Sequence, residues 1–157
     1  MPIIQINPKI IEYSQKIQTY CFKKGGSFRK GCPNYGKKQG CPPNQPLINK
    51  IFDFDKPIYL IYTNFDVKEI AERMAQKHPE WTEKQCYNSR YWQQTARKAH
   101  EKELEKFLEK NKQVIVKKSP EAHGVNIHSL MWQATKIKLE WPPRNLTRLV
   151  SLAGYKY

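Results

Sequence analysis

The chain has 157 residues, of which 39% are hydrophobic and 12% aromatic. That suffices to bury a core without disulfide staples and lies well outside the composition of disordered chains. Its 28 Lys and Arg outnumber its 14 Asp and Glu, for a formal charge of +14. Such an excess attracts polyanions, nucleic acid above all. Most of it is Lys, a poorer fork than Arg for phosphates and bases, so a generally lysine-rich surface accounts for it equally well.

The opening Met1-Pro2-Ile3-Ile4 lacks the basic start and long apolar stretch of a signal peptide. No apolar run approaches the roughly 20 residues of a membrane span, so no membrane partner is expected. The expected setting is the cytoplasm, where thiols stay reduced and clustered cysteines bind metal more often than they pair.

In chain order, residues 9–20 place Ile10, Tyr13 and Ile17 at helical spacing, predicting a short amphipathic helix that leads into Cys21. Residues 21–46 are rich in Gly and Pro and nearly free of aliphatic side chains, which predicts a long irregular loop. A loop of that length inside a compact domain needs a function or a fastener. Cys21, Cys32 and Cys41 supply one. Residues 57–63 (PIYLIYT) read as a buried strand with Pro57 at its start. Asp66 opens a helix that runs to residue 78, with Glu69 in capping-box position and Val67, Ile70 and Met74 on one face.

Pro79 interrupts that helix, and Thr82 begins the longest helical stretch, to about Lys110. Arg97 with Glu101 and Glu103 with Lys106 sit there at helical neighbour spacing, beside an apolar stripe of Ala96, Ala99, Leu104, Phe107 and Leu108. Residues 113–117 form a second strand, 120–124 break the chain, 125–135 form a helix, and 146–152 form a third strand after the rigid Trp141-Pro142-Pro143 turn. The expected architecture is one α/β or α+β domain over residues 1–157, a small sheet with flanking helices and a long, metal-stapled cysteine loop.

Thiolates are soft ligands that suit zinc and iron–sulfur clusters, and a glycine-rich loop lets spaced cysteines converge. Cys32 and Cys41 are each followed by Pro, an ending also found in the bacterial ferredoxin run. Zinc ribbons instead present paired C-x₂₋₄-C knuckles, which this chain lacks. The pattern therefore favours an iron–sulfur cluster, with zinc as the alternative. Cys86 is either a fourth ligand or a small buried hydrophobe. With three cysteines, a [4Fe–4S] cluster keeps one iron open for substrate, water or another side chain.

The run Cys32-Pro33-Asn34-Tyr35-Gly36-Lys37, then Cys41-Pro42-Pro43 and Pro46, then the strand from Pro57, resembles a family of predicted metal-binding proteins of archaea and anaerobic bacteria. The later run Pro120-Glu121-Ala122-His123-Gly124-Val125-Asn126-Ile127 also resembles a late segment of that family. The resemblance implies metal binding and an archaeal or anaerobic source, and it implies no particular reaction. Two features depart from the family: Cys21 lies well upstream of Cys32, and no cysteine follows Cys86, which argues against a second cluster.

Lys23, Lys24, Arg29, Lys30, Lys37 and Lys38 surround the cysteines, with Phe22, Phe28 and Tyr35 among them. Positive charge interleaved with aromatics can track a phosphate backbone while bases stack, although solvated loop lysines explain the same pattern. His78, His100, His123 and His128 show no metalloprotease spacing and are expected at the surface or in the core, outside the ligand set. Trp92 and Tyr91 are expected to pack, and Arg90 is a candidate anion clamp. No P-loop, dinucleotide fingerprint or G-x-S-x-G elbow occurs.

Two functional classes lead. In one, a three-cysteine cluster catalyses sulfur removal or transfer on a nucleobase or small thio-compound, similar in principle to desulfidases that use such a cluster. In the other, zinc or a cluster is structural in a basic, RNA-binding module. A redox sensor or electron carrier is the third reading and requires a fully ligated cluster.

Overall fold

The computed structural model describes residues 2–21 and 31–157. A four-stranded, wholly antiparallel sheet organises the chain, with strands β1 (Ile3–Ile6), β2 (Ile58–Asp66), β3 (Ile115–Lys117) and β4 (Leu146–Gly154) in the order β1-β2-β4-β3. Helices α1 (Gln15–Gln18), α2 (Val67–Lys77), α3 (Glu83–Cys86), α4 (Gln93–Lys110) and α5 (Ile127–Thr135) accompany it. The expected small sheet with flanking helices is therefore present. Among the described residues no helix is long and apolar enough to cross a membrane.

β2 and β4 pair along their whole length, from Ile58 opposite Gly154 to Asp66 opposite Leu146. Alternation then sends successive side chains to opposite faces. On one face Ile58, Leu60, Tyr62, Val150 and Leu152 pack with Ile48, Phe52, Leu130 and Met131. On the other, Ile61 and Ala153 meet Leu104 and Phe107 of α4, and Phe65 and Leu149 meet Val67, Trp92 and Ala96. Each fully buried Leu, Ile or Phe contributes about 1.5–3 kcal/mol, against ~0–1 kcal/mol for an exposed ion pair. The sheet core therefore sets the fold, and the surface charges decorate it.

Several elements differ from expectation for identifiable reasons. α2 starts where the sequence places it, because the Asp66 side chain accepts from the Glu69 N–H at 2.8 Å. The stretch from Thr82 to Lys110 is interrupted. α3 closes after one turn, the Asn88 side chain accepts from the Arg90 N–H at 3.0 Å, and α4 starts only at Gln93. Asn offers the backbone a local partner that competes with continuing the helix. Residues 9–20 likewise divide into single 3-10 turns around the short α1, which is capped by Ser14. β1 pairs with β2 at the sheet edge, a short strand the sequence reading did not include. Glu103 pairs with Lys106 as expected, whereas Glu101 pairs with Lys118 at 2.8 Å and not with Arg97.

His100 lies under the sheet with 3% exposure. Its Nε2 is 2.7 Å from Ser151 Oγ and its Nδ1 is 3.0 Å from Thr63 Oγ1. Burial pushes its pKa below the ordinary value, the Lys118 charge pushes the same way, and Glu101 opposes both. A histidine depressed in the folded state binds its proton more readily once unfolded, so its stabilising effect is complete above about pH 6.5 and is lost as pH falls below it. Buried His123 is depressed as well and acts in the same direction. Urea titrations at pH 7.5 and 5.5 are expected to show lower stability at 5.5, by up to about 1.4 kcal/mol per pH unit for each histidine. His100→Gln should reduce that difference, and an unchanged difference would contradict the assignment.

Candidate metal centre

The cysteine segment is built from turns. α1 runs into a 3-10 turn, Thr19–Cys21, that leaves Cys21 half-buried at its end. When the described chain resumes, the Cys32 N–H donates to the Cys21 carbonyl at 2.9 Å, bringing the two backbones side by side. The Tyr35 N–H returns to the Cys32 carbonyl at 3.2 Å, and the Gly36 N–H reaches the Pro42 carbonyl at 2.8 Å. The second bond folds the segment so that Cys41, whose N–H donates to the Lys38 carbonyl at 3.0 Å, returns toward Cys32. Gly36 has φ +71, a left-handed conformation that favours glycine. The described part of the segment, residues 31–46, has no regular helix or strand, as its composition predicts.

Two side chains from elsewhere hold this segment. Gln18, with 4% exposure, donates from Nε2 to the Gln45 carbonyl at 2.8 Å and the Ala122 carbonyl at 2.9 Å. His123 Nδ1 donates to the Pro46 carbonyl at 2.9 Å, which fixes the ring with its proton on Nδ1. Both therefore fasten the far end of the loop to the 3-10 turn Pro120–His123, which packs on α1 and on β4. The Ser14 N–H to Gly124 carbonyl bond at 2.9 Å and the Tyr13–Val125 bridge extend the same seam.

The thiol of Cys21 is pushed above its ordinary pKa by burial first, then by the neighbouring charges of Glu121, Cys32 and Cys41. Cys32, Cys41 and Glu121 thus all lie within electrostatic reach of Cys21. Glu121 is exposed as a residue, but desolvation of its carboxyl raises its pKa, opposed first by a hydrogen bond to its own backbone and then by Arg97. A bound cation would reverse the logic and favour the thiolates. As they stand, no three His, Cys, Asp or Glu side chains among the described residues converge closely enough to hold a metal ion. The donor set fits a thiophilic centre in chemistry and neighbourhood, and loading it requires the thiols to close further.

The other candidates fall into place as follows. Cys86 is buried at the end of α3, which packs on α2, and it is not among the groups whose charge acts on Cys21. Lys37 and Lys38 are exposed on the cysteine segment. Lys23, Lys24, Arg29 and Lys30 lie outside the described residues. His128 and Arg90 are exposed and Trp92 is buried. Gln18 has no signal in the sequence that ties it to the cysteines, whereas Glu121 lies in the 120–127 run that resembles the metal-binding family. Comparison with protein-family models, with curated proteins and with solved structures gives no match for this chain.

Proposed function

We propose that Cys21, Cys32 and Cys41 hold an iron–sulfur cluster of the [4Fe–4S] type, with one iron left without a cysteine. The observation that carries this reading is the Cys32 N–H to Cys21 carbonyl bond, which sets those two residues side by side, together with the charges of Cys32 and Cys41 acting on the Cys21 thiol. The Cys-Pro endings and the lack of paired knuckles favour iron and sulfide over zinc. Cys86, buried between helices on α3, is left out of the ligand set. When bound, such a cluster supplies a Lewis-acidic iron suited to taking sulfur from a thiolated nucleobase or small thio-compound. The chain's own part is to fasten the far end of the loop with the Gln18 and His123 bonds and to bring the charge of Glu121 to bear on Cys21.

A second reading, favoured by the +14 charge and by exposed Lys37 and Lys38, is a structural zinc or cluster in a basic RNA-binding module. Anaerobic purification followed by a visible spectrum and iron, sulfide and zinc analysis separates the two. Brown protein containing iron and sulfide is expected. Colourless protein with zinc, unfolded by chelator, would move the assignment to the second reading. In that case RNA binding should weaken steeply with salt.

A further inference from the structure

The tryptophans of this chain divide by exposure. Trp92 is buried, and Trp81 lies flat on His78 with ring centroids 3.9 Å apart. Trp132 and Trp141 instead keep 52% and 64% of their surface open to solvent. Tryptophan is highly buried on average, and an indole left open forgoes the burial that otherwise stabilises it. A single exposed apolar residue is ordinary, whereas two open indoles on one short stretch of chain form a surface suited to a partner.

Local structure presents both rings among cations. Leu130 and Met131 of α5 face the core, and Trp132, the next residue round the helix, is exposed. α5 ends on Lys136, whose φ of +60 is left-handed and whose N–H donates to the Trp132 carbonyl at 2.9 Å. Lys136 Nζ lies over the Trp132 ring, 5.7 Å from its centroid. The chain then alternates: Ile137 and Leu139 pack on the core, while Lys136 and Lys138 are exposed. Neither lysine has an ion pair among the described residues, and no Asp or Glu occurs from Ala122 to Leu139. The Glu140 carboxylate is engaged in its own turn, accepting from the Arg144 and Asn145 N–H groups at 3.0 and 2.9 Å. The result is unpaired positive charge between two open indoles. Phosphates suit the charge, and any base can stack on the rings. A membrane suits this surface less, because its aliphatic neighbours Leu130, Met131, Ile137 and Leu139 all pack inward and leave no apolar face to insert.

We propose that Trp132, Trp141 and the lysines between them bind a single-stranded nucleic acid, with bases on the rings and phosphates on Lys136 and Lys138. This surface lies on α5 and the stretch after it, outside the cysteine segment, so it stands whichever reading of the metal centre holds. Fluorescence anisotropy of a labelled oligouridylate, titrated with the full-length protein, tests it. Saturable binding is expected, with a dissociation constant of about 100 μM or tighter at about 50 mM salt. Trp132→Ala and Trp141→Ala should each weaken it about fivefold to a hundredfold, while Trp132→Phe and Trp141→Phe keep a ring and most of the affinity. Lys136→Gly puts the favoured residue at a left-handed helix end, so the protein should be at least as stable in urea. It should nevertheless bind more weakly, with a salt dependence of log affinity shallower by about 0.7. Lack of saturation, unchanged affinity in either alanine variant, or equal loss in the alanine and phenylalanine variants would overturn the proposal. So would an unchanged salt slope in Lys136→Gly. Binding to phosphatidylglycerol vesicles without binding to the oligonucleotide would assign the surface to a membrane instead.

Discussion

Cys32→Ser and Cys41→Ser proteins are expected to lose most of their bound iron and sulfide, whereas Cys86→Ser should keep them. Serine cannot supply a thiolate, and hydroxyl oxygen is a poor match for a thiophilic centre. Cys32 and Cys41 belong to one folded segment, closed by the Gly36 N–H to Pro42 carbonyl bond, so losing either removes a donor while the backbone turn persists. Cys21→Ser should behave the same way, because its carbonyl still accepts from the Cys32 N–H when its sulfur is gone. Cys86 has 3% exposure on α3, and a hydroxyl there costs stability, about 1–3 kcal/mol, without touching the loop. Iron and sulfide assays on the four variants check this. Cluster loss in Cys86→Ser as complete as in the loop variants would remove the open-iron reading and favour a fully ligated redox centre.

Gly124→Ala is expected to cost about 2–5 kcal/mol, a large fraction of the stability of a domain this size. Gly124 has φ +79, and an added Cβ would sit 2.5 Å from the Ser14 carbonyl oxygen and 2.7 Å from Leu47 Cδ2. Backbone conformation and space therefore act together. Ser14 caps α1 and Leu47 follows the cysteine segment, so the added methyl drives apart both sides of the candidate centre. Gly36→Ala is the contrast: its φ is +71, but its nearest neighbour would be Pro43 Cδ at 3.9 Å. It should cost only the conformational strain, about 1–2 kcal/mol. Urea unfolding of both variants measures the difference, and equal losses would show that crowding at Gly124 is unimportant.

How much of this could be read from the sequence depends on how local each cause is. β2 was legible because a continuous apolar run follows Pro57, and α2 because Asp66 caps it with a contact three residues away. The interruption at Asn88 was not, since Asn is tolerated on helix surfaces until its side chain takes a backbone partner. β1 is four residues at a sheet edge, too short for its alternation to stand out. His100 could have been found: it lies midway between Ala96 and Leu104 at four-residue intervals, on the stripe that packs inward. Gln18 could not, because its partner Ala122 is 104 residues away and nothing near it signals the contact. The cysteines themselves were plain from residue type and loop composition. Glu121 was marked only by its place in the 120–127 run, and its influence on Cys21 depends on the fold, which brings that segment onto α1.

The most direct test of a three-cysteine cluster is a Mössbauer spectrum of the full-length protein reconstituted with ⁵⁷Fe and sulfide. Iron atoms in two environments, a minority site responding to an added non-thiol ligand and a majority that does not, is the predicted result. Uniformly thiolate-ligated iron, or a protein that takes up zinc and no cluster, would contradict it.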